Sequence, residues 1–275
     1  MKQLKPVELF LAVGLAATLG ACGSPTPEAG EGGEASEEPA TEVAPESSSE
    51  GGEGGEGGEG GEGASTGNPD TDYMTALALM KGHLMVAEEL IEAGNYAEAE
   101  PHIGHPANEL YGEVEEQLAE RDVPQFKDTL TELHDLSKSA PDSPEMTTQY
   151  DAAVTAIDEA IAAIPDDQRQ SPEFVLSVIN GLLSTAAAEY EAAIADNTFV
   201  EVVEYQDSRG FVLYAEELYE TIADDMSQNN PDEHQVIVSS LEDLKTAWPS
   251  VNPPDAPILE PSDVYSLISE IELHS

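Results

Sequence analysis

The sequence predicts an all-α protein, a single antiparallel bundle of about eight or nine helices that follows a disordered N-terminal segment. Apolar residues recur at steps of three and four through most of residues 70–275, which is the spacing of one helix face. No stretch alternates apolar and polar residues in the manner of a half-buried strand. Prolines stand at the edges of the periodic stretches, where they begin or end helices. The 206 residues of this region are enough for one sizeable core.

Each predicted helix follows from its periodicity and its boundary residues. The predicted helices cover residues 71–93, 96–104, 106–121, 124–138, 143–164, 172–196, 199–226, 231–247 and 262–273. An apolar stripe containing Tyr73, Leu77 and Met80 defines the first, and Asp70, Thr71 or Asp72 is expected to cap it. Gly94 and Asn95 end it and reverse the chain. Pro101 is expected to end or kink the second helix near Glu100.

The first 22 residues predict an export signal. Lys2 and Lys5 precede an apolar run of 11 residues, 9–19, which is too short for a membrane-spanning helix. The run Leu19-Gly20-Ala21-Cys22 resembles the lipobox of bacterial lipoproteins. The resemblance implies that residues 1–21 are a cleaved signal peptide and that Cys22 receives the lipid and becomes the N-terminus. The alternative is an ordinary secretory signal followed by a chance cysteine.

A spacer is predicted between the lipidated cysteine and the helices. Residues 22–69 are rich in Gly and Glu, include a GGE repeat, and contain no aromatic residue and no Lys or Arg, so they cannot form a core. Gly23 and Ser24 lack the Asp that, in bacterial lipoproteins, often directs retention at the inner membrane. The expected location is therefore the cell envelope, on the periplasmic face of the outer membrane in a Gram-negative cell.

The charge balance excludes several classes of function. The chain has 57 acidic and 9 basic residues, a net charge of -48, and residues 70–275 alone have 44 acidic and 7 basic side chains. Binding of nucleic acid or of an anionic membrane surface through charge needs a basic patch, which is missing from this sequence. The excess of acid predicts a halophilic or marine source, because salt screens the self-repulsion. The single cysteine excludes a disulfide framework.

Three histidines are predicted to meet across the first helical hairpin. If Gly94 and Asn95 reverse the chain, position 83 lies opposite position 106, which places His83 beside His102 and His105. Imidazole is a good ligand for Zn²⁺, Cu²⁺ and Fe, so the cluster predicts a divalent transition-metal site.

His134 is expected opposite Tyr111, about a turn from the cluster, and Glu109 is a candidate fourth ligand or hydrogen-bond partner of a histidine. The alternative is that His83 is a hydrogen-bonded core residue and that the other two histidines line a turn.

A second polar cluster lies in the helix predicted at 199–226. Arg209, one of only three arginines, is expected either to bind a ligand carboxylate or to form an internal salt bridge with Glu204 or Asp207. Gly210 inside a helix predicts close packing or a local break at that point.

The helical region has two short resemblances to known families. Residues 94–106 resemble the turn and second helix of a tetratricopeptide repeat through Gly94, Tyr96 and Ala99, but no 34-residue recurrence follows. Imelysin-like envelope proteins carry a histidine motif of the form HxxE, and here Val86 stands three residues after His83. A similarity of residues 96–113 to 199–216, offset by 103 positions, predicts two related halves.

Taken together, the sequence predicts a lipid-anchored envelope protein that is not an enzyme and that binds a metal ion as a sensor, carrier or uptake accessory. No catalytic template such as GxSxG, HExxH or a phosphate-binding loop is present. The alternative is a helical module that docks an envelope protein and whose histidines are structural. Exposed apolar area on helices 172–196 and 199–226 would favour that alternative. A metal-dependent hydrolase is a third reading, and it needs an open coordination position and a nearby base.

Overall fold

The computed structural model describes residues 66–275, and over this range the fold is an all-α bundle, as predicted. The signal peptide, Cys22 and most of the spacer lie outside the described residues. The helices are α1 (Pro69–Glu92), α2 (Tyr96–His105), α3 (Tyr111–Glu120), α4 (Lys127–Ser139), α5 (Pro144–Ile161), α6 (Asp166–Arg169), α7 (Pro172–Ala192), α8 (Val202–Glu220), α9 (Ala223–Asn229), α10 (Pro231–Leu244) and α11 (Pro261–Leu273). None of these helices has the length and apolar character needed to cross a membrane.

Helix α1 is the central helix of the bundle, and α8, α2 and α7 pack against it. The side chain of Asn68 caps it by accepting hydrogen bonds from the amides of Asp70 and Thr71 at 3.0 and 3.4 Å. The cap is therefore two residues before the first predicted candidate, Asp70, because the proline at position 69 begins the helix. Gly94, with a φ of 78°, reverses the chain into α2, as the turn prediction requires.

Helices α1 and α8 cross at Gly82 and Gly210. Because these residues have no side chains, the two helix backbones can approach closely. A Cβ atom on Gly210 would lie 2.8 Å from the carbonyl carbon of Gly82, and one on Gly82 would lie 2.7 Å from Cδ1 of Phe211. The prediction of close packing at Gly210 is confirmed. The contact matters for the site because His83 follows Gly82 directly and Asp207 lies one turn before Gly210.

The structure differs from the predicted helix boundaries at several places. Helix α7 ends at Ala192, and a small antiparallel hairpin, β1 (Ile194–Ala195) and β2 (Thr198–Phe199), precedes α8. The helix predicted to 226 divides into α8 and α9. Pro101 does not end α2, which continues to His105, because the buried face containing Ala99, His102 and Ile103 holds it against the bundle. A π-helical turn, Pro106–Leu110, joins α2 to α3.

The helical region contains two series of helices whose starting points and first turns are separated by the same number of residues. α1, α2, α4 and α5 form the first set, and α7, α8, α10 and α11 form the second. Pro69 and Pro172 begin α1 and α7 and are 103 positions apart. Gly94 and Asn197, at the following turns, have the same separation and both have positive φ. Both separations equal the offset found in the sequence, and a relation between the two halves stays a prediction.

Candidate metal centre

Four side chains from three helices converge in the core. His83 comes from α1, His102 and His105 come from α2, and Asp207 comes from α8. One potential ligand atom from each of the four lies within 4.8 Å of all the others. We call this group the His₃Asp cluster. Within the described residues 66–275, it is the group whose geometry fits a metal ion.

All three imidazoles direct Nδ1 towards the carboxylate of Asp207. Nδ1 of His83 and Nδ1 of His102 each lie 2.6 Å from Asp207 Oδ1. Nδ1 of His105 lies 3.3 Å from Asp207 Oδ2, but without the angle of a hydrogen bond, and this buried nitrogen has no other hydrogen-bond partner. A buried nitrogen without a hydrogen-bond partner lowers the stability of the folded protein, so a purely structural network would be expected to supply such a partner.

The cluster is almost completely shielded from water. His83 and His102 are fully buried and Asp207 is 1% exposed, while the side chain of His105 retains 18% of its accessible surface. The ring of His83 also packs edge-on against those of His105 and Phe211, with centroids 4.8 and 4.9 Å apart. His105 therefore marks the side of the cluster that is open to solvent.

The histidines determine the charge state of the carboxyl group. Burial by itself raises the pKa of Asp207, but the neighbouring His83 and His102 rings, together with a hydrogen bond from His102 and the close contact of His105, hold that pKa well below its usual range. For His105, burial lowers the pKa, and the contact with the Asp207 carboxylate more than offsets this, so that the pKa is raised. The carboxylate is thus ionised and ready to face a cation.

A layer of residues on α8 fixes the surroundings of Asp207. Oε1 of Gln206 lies 2.9 Å from Nε2 of His102. The indole N–H of Trp248 donates to Ser208 Oγ at 2.8 Å. Arg209 forms a two-pronged salt bridge with Glu89 of α1. The structure thus pairs Arg209 with Glu89 of α1, which is neither of the two partners, Glu204 and Asp207, expected from the sequence.

The predicted site residues outside the cluster have other contacts. Oε1 of Glu109, in the π-helical turn, lies 3.8 Å from Nε2 of His105, so it borders the cluster without joining it. Nε2 of His134 lies 2.5 Å from Oε1 of Glu100, and His134 packs against Gly104. It is not part of the cluster, because α4 packs along α2 and not over Tyr111.

Two residues of this site were not predicted as such. The sequence predicts Asp207 as part of a polar cluster with Arg209 and Glu204, as a ligand group or in a salt bridge, and it gives Gln206 no individual role. The available signal was the run of Tyr205, Gln206, Asp207 and Ser208 inside a helix, where all four side chains are buried. Buried polar groups need partners, but the sequence does not identify helices α1 and α2 as those partners.

The comparisons match one half of the helical region to a known family. Residues 165–275, less than half of the chain, match the family model described as the iron permease-associated 4-helix bundle domain. The matched segment contains α6 to α11 and therefore Gln206 and Asp207, whereas His83, His102 and His105 precede it. Neither the curated proteins nor the solved structures contain a significant match.

Proposed function

We propose that the protein binds a transition-metal ion at the His₃Asp cluster and serves as an accessory to iron uptake in the cell envelope. The observation that carries the proposal is the convergence of three Nδ1 atoms on one buried, ionised carboxylate. Three imidazoles and a carboxylate form a donor set suited to iron, zinc or copper. The similarity of residues 165–275 to a domain associated with iron permeases supports iron as the cargo.

The donor chemistry also explains why affinity alone does not identify the cargo. For a site of nitrogen and oxygen ligands, affinity rises from Fe²⁺ to Cu²⁺ and falls again at Zn²⁺. In a solution that contains all three ions, the site would therefore bind Cu²⁺ preferentially even if iron is its cargo in the cell. Availability in the envelope and delivery to a permease would select iron.

The proposal includes anchoring by lipid at Cys22 and a partner in the membrane. The lipobox resemblance supports the anchor, and the acidic spacer of residues 22–69 would let the helical region reach an envelope partner. A permease is the partner that the family similarity supports. We assign no enzymatic activity to the protein.

A purely protein-docking module has less support from the surface. Within residues 66–275 the large exposed apolar side chains are Val200, Val202, Ile258, Tyr265 and Leu273. Only the first two lie at helix α8 or the turn before it, and the remaining apolar side chains of α7 and α8 are largely buried. The exposed apolar face that would favour this alternative is therefore not found on these helices.

The test is the metal content of the full-length protein and its titration with Fe²⁺ under anaerobic conditions, followed by Zn²⁺ and Cu²⁺. We expect one ion per chain, and we expect His105→Ala and Asp207→Asn each to weaken binding by at least about 10-fold. His274→Ala is the control, because His274 follows the last residue of α11, lies outside the cluster, and has its Nδ1 2.8 Å from the Glu270 carbonyl oxygen. Equal affinity in wild type and both site variants would overturn the proposal.

A further inference from the structure

Gln206 is not one of the four side chains of the His₃Asp cluster, but its side chain contacts one of them, His102. Gln206 is 1% exposed, its Oε1 lies 2.9 Å from Nε2 of His102, and its Nε2 donates to the carbonyl of Val251 at 3.3 Å. It immediately precedes Asp207 on α8. Gln206 thus touches the ring of His102 on the edge opposite the carboxylate.

The orientation of the Gln206 amide is fixed by the segment 248–251. Rotating the amide by half a turn would place Oε1 against the Val251 carbonyl, and two acceptors would then face each other. The segment itself is held by three neighbours of Gln206. Tyr205 donates to the Ser250 carbonyl at 2.9 Å, Arg209 donates to the Trp248 carbonyl at 2.9 Å, and Ser208 accepts from the Trp248 indole. The amide oxygen is therefore directed at His102.

An acceptor at this position determines which nitrogen of His102 has the hydrogen. Because Gln206 Oε1 accepts, Nε2 of His102 must donate, and the neutral ring then has its lone pair at Nδ1. Nδ1 lies 2.6 Å from Asp207 Oδ1. A lone pair so close to a carboxylate oxygen is repelled by it, and either a proton on Nδ1 or a metal ion bound by both atoms removes that repulsion.

We propose that Gln206 is a positioning residue that holds His102 in its Nε2–H tautomer, so that this histidine ligates a metal through Nδ1. The inference rests on the proposed function. Partners of this kind orient ligand imidazoles in other metal sites, and their loss typically lowers metal affinity about 10- to 100-fold.

Two variants of the full-length protein test this role. Gln206→Leu removes the acceptor, and we expect it to weaken Zn²⁺ binding about 10- to 100-fold. Gln206→Glu keeps an acceptor for the Nε2 hydrogen but loses the donor to the Val251 carbonyl, and we expect it to retain more of the wild-type affinity than Gln206→Leu does. Gln235→Leu is the matched control, because Gln235 is exposed on α10, and its affinity should not change.

A spectroscopic measurement separates positioning from general destabilisation. In the Zn²⁺-loaded wild type with ¹⁵N-labelled histidine, we expect His102 to show a protonated Nε2 and a metal-bound Nδ1. Binding of His102 through Nε2, or undiminished affinity in Gln206→Leu, would overturn the inference and leave the proposed function standing. If the wild type binds no Zn²⁺, Fe²⁺ or Cu²⁺, the proposed function fails and the inference fails with it. If Gln206→Leu does not fold, the wild-type spectrum decides the question.

Discussion

Asp207 is the residue on which the cluster depends, because all three imidazoles face its carboxylate. Removing one member of a buried charged group leaves the others without a partner and typically costs about 3–5 kcal/mol. We therefore expect Asp207→Ala to lower the free energy of unfolding of the metal-free protein by about that amount, measured by urea denaturation. Asp151→Ala, on the exposed face of α5, should change it by less than about 0.5 kcal/mol. A similar loss in both variants would contradict this account of Asp207.

His105 should make metal binding dependent on pH. Its pKa is raised above the usual 6.5, because its contact with Asp207 outweighs the effect of burial. A raised pKa means that the folded metal-free protein retains a proton on this ring as the pH rises through 6.5, and that proton competes with a metal ion for the ring nitrogen.

Affinity should therefore increase as the pH rises from below 6.5 through the raised pKa, and calorimetric titrations at pH 6 and pH 8 measure the change. By the same linkage, the stabilisation that protonated His105 gives the metal-free fold is present below pH 6.5 and disappears as the pH rises through the folded-state pKa. Equal affinity at both values would be inconsistent with a proton on His105.

The residues of the cluster were unequally predictable from the sequence. His83, His102 and His105 lie on two helices joined by a short turn, so helical periodicity and the glycine at position 94 were enough to place them together. Asp207 lies 124 residues from His83 and 105 from His102. Its contact with them depends on the packing of α8 against α1, which a single sequence does not determine.

At the scale of elements, the glycine crossing of α1 and α8 brings His83 to Asp207. A methyl group on Gly210 would meet the backbone of Gly82, so the helices would have to separate. We expect Gly210→Ala to lower the free energy of unfolding by about 1–3 kcal/mol and also to weaken metal binding. Denaturation and metal titration of the same preparation measure both.

Gly112→Ala is the matched control for this crossing. Gly112 lies in α3, and nothing lies within 4 Å of the position of an added Cβ. The same substitution should therefore stabilise the protein by about 0.5–1 kcal/mol through helix propensity. If Gly210→Ala also stabilises the protein, the crossing does not position the site.

Helix positions were predictable, whereas the connections between helices were not. Proline positions and apolar spacing identified every long helix. The breaks at the end of α7 and after α3 depend on Asp122, Asp196 and Asn197, which adopt positive φ. Asp and Asn tolerate this conformation without requiring it, so they give a weaker signal than glycine. The π-helical turn after His105 likewise follows from packing and has no marker in the sequence.

At the scale of the whole molecule, the acidic surface predicts dependence on salt. With 44 acidic and 7 basic side chains in residues 70–275, like-charge repulsion opposes the folded state. The Debye length falls from about 10 Å at 0.1 M salt to about 3 Å at 1 M. We expect Tm to rise by several degrees between 0.1 and 2 M NaCl, measured by thermal denaturation. A Tm that is constant or falls would argue against a halophilic source.

The cluster also joins distant parts of the chain, because His83, His102 and His105 lie on α1 and α2 and Asp207 lies on α8. An ion bound only by the folded protein stabilises it by about 2.7 kcal/mol when its concentration is 100 times Kd. Saturating Zn²⁺ should therefore raise the Tm of the wild type. It should leave the Tm of Asp207→Asn nearly unchanged, and equal shifts in the two would indicate binding elsewhere on the acidic surface.

The measurement that tests the central claim most directly is a calorimetric titration of full-length wild type and of a variant with His83, His102 and His105 all replaced by alanine. High salt in the titration suppresses weak binding of cations to the acidic surface. We predict one tight site per chain in the wild type and its complete loss in the variant, with circular dichroism confirming that the variant is still helical. An absence of tight binding in the wild type, or the same tight site in a folded variant, would contradict the assignment of a metal centre.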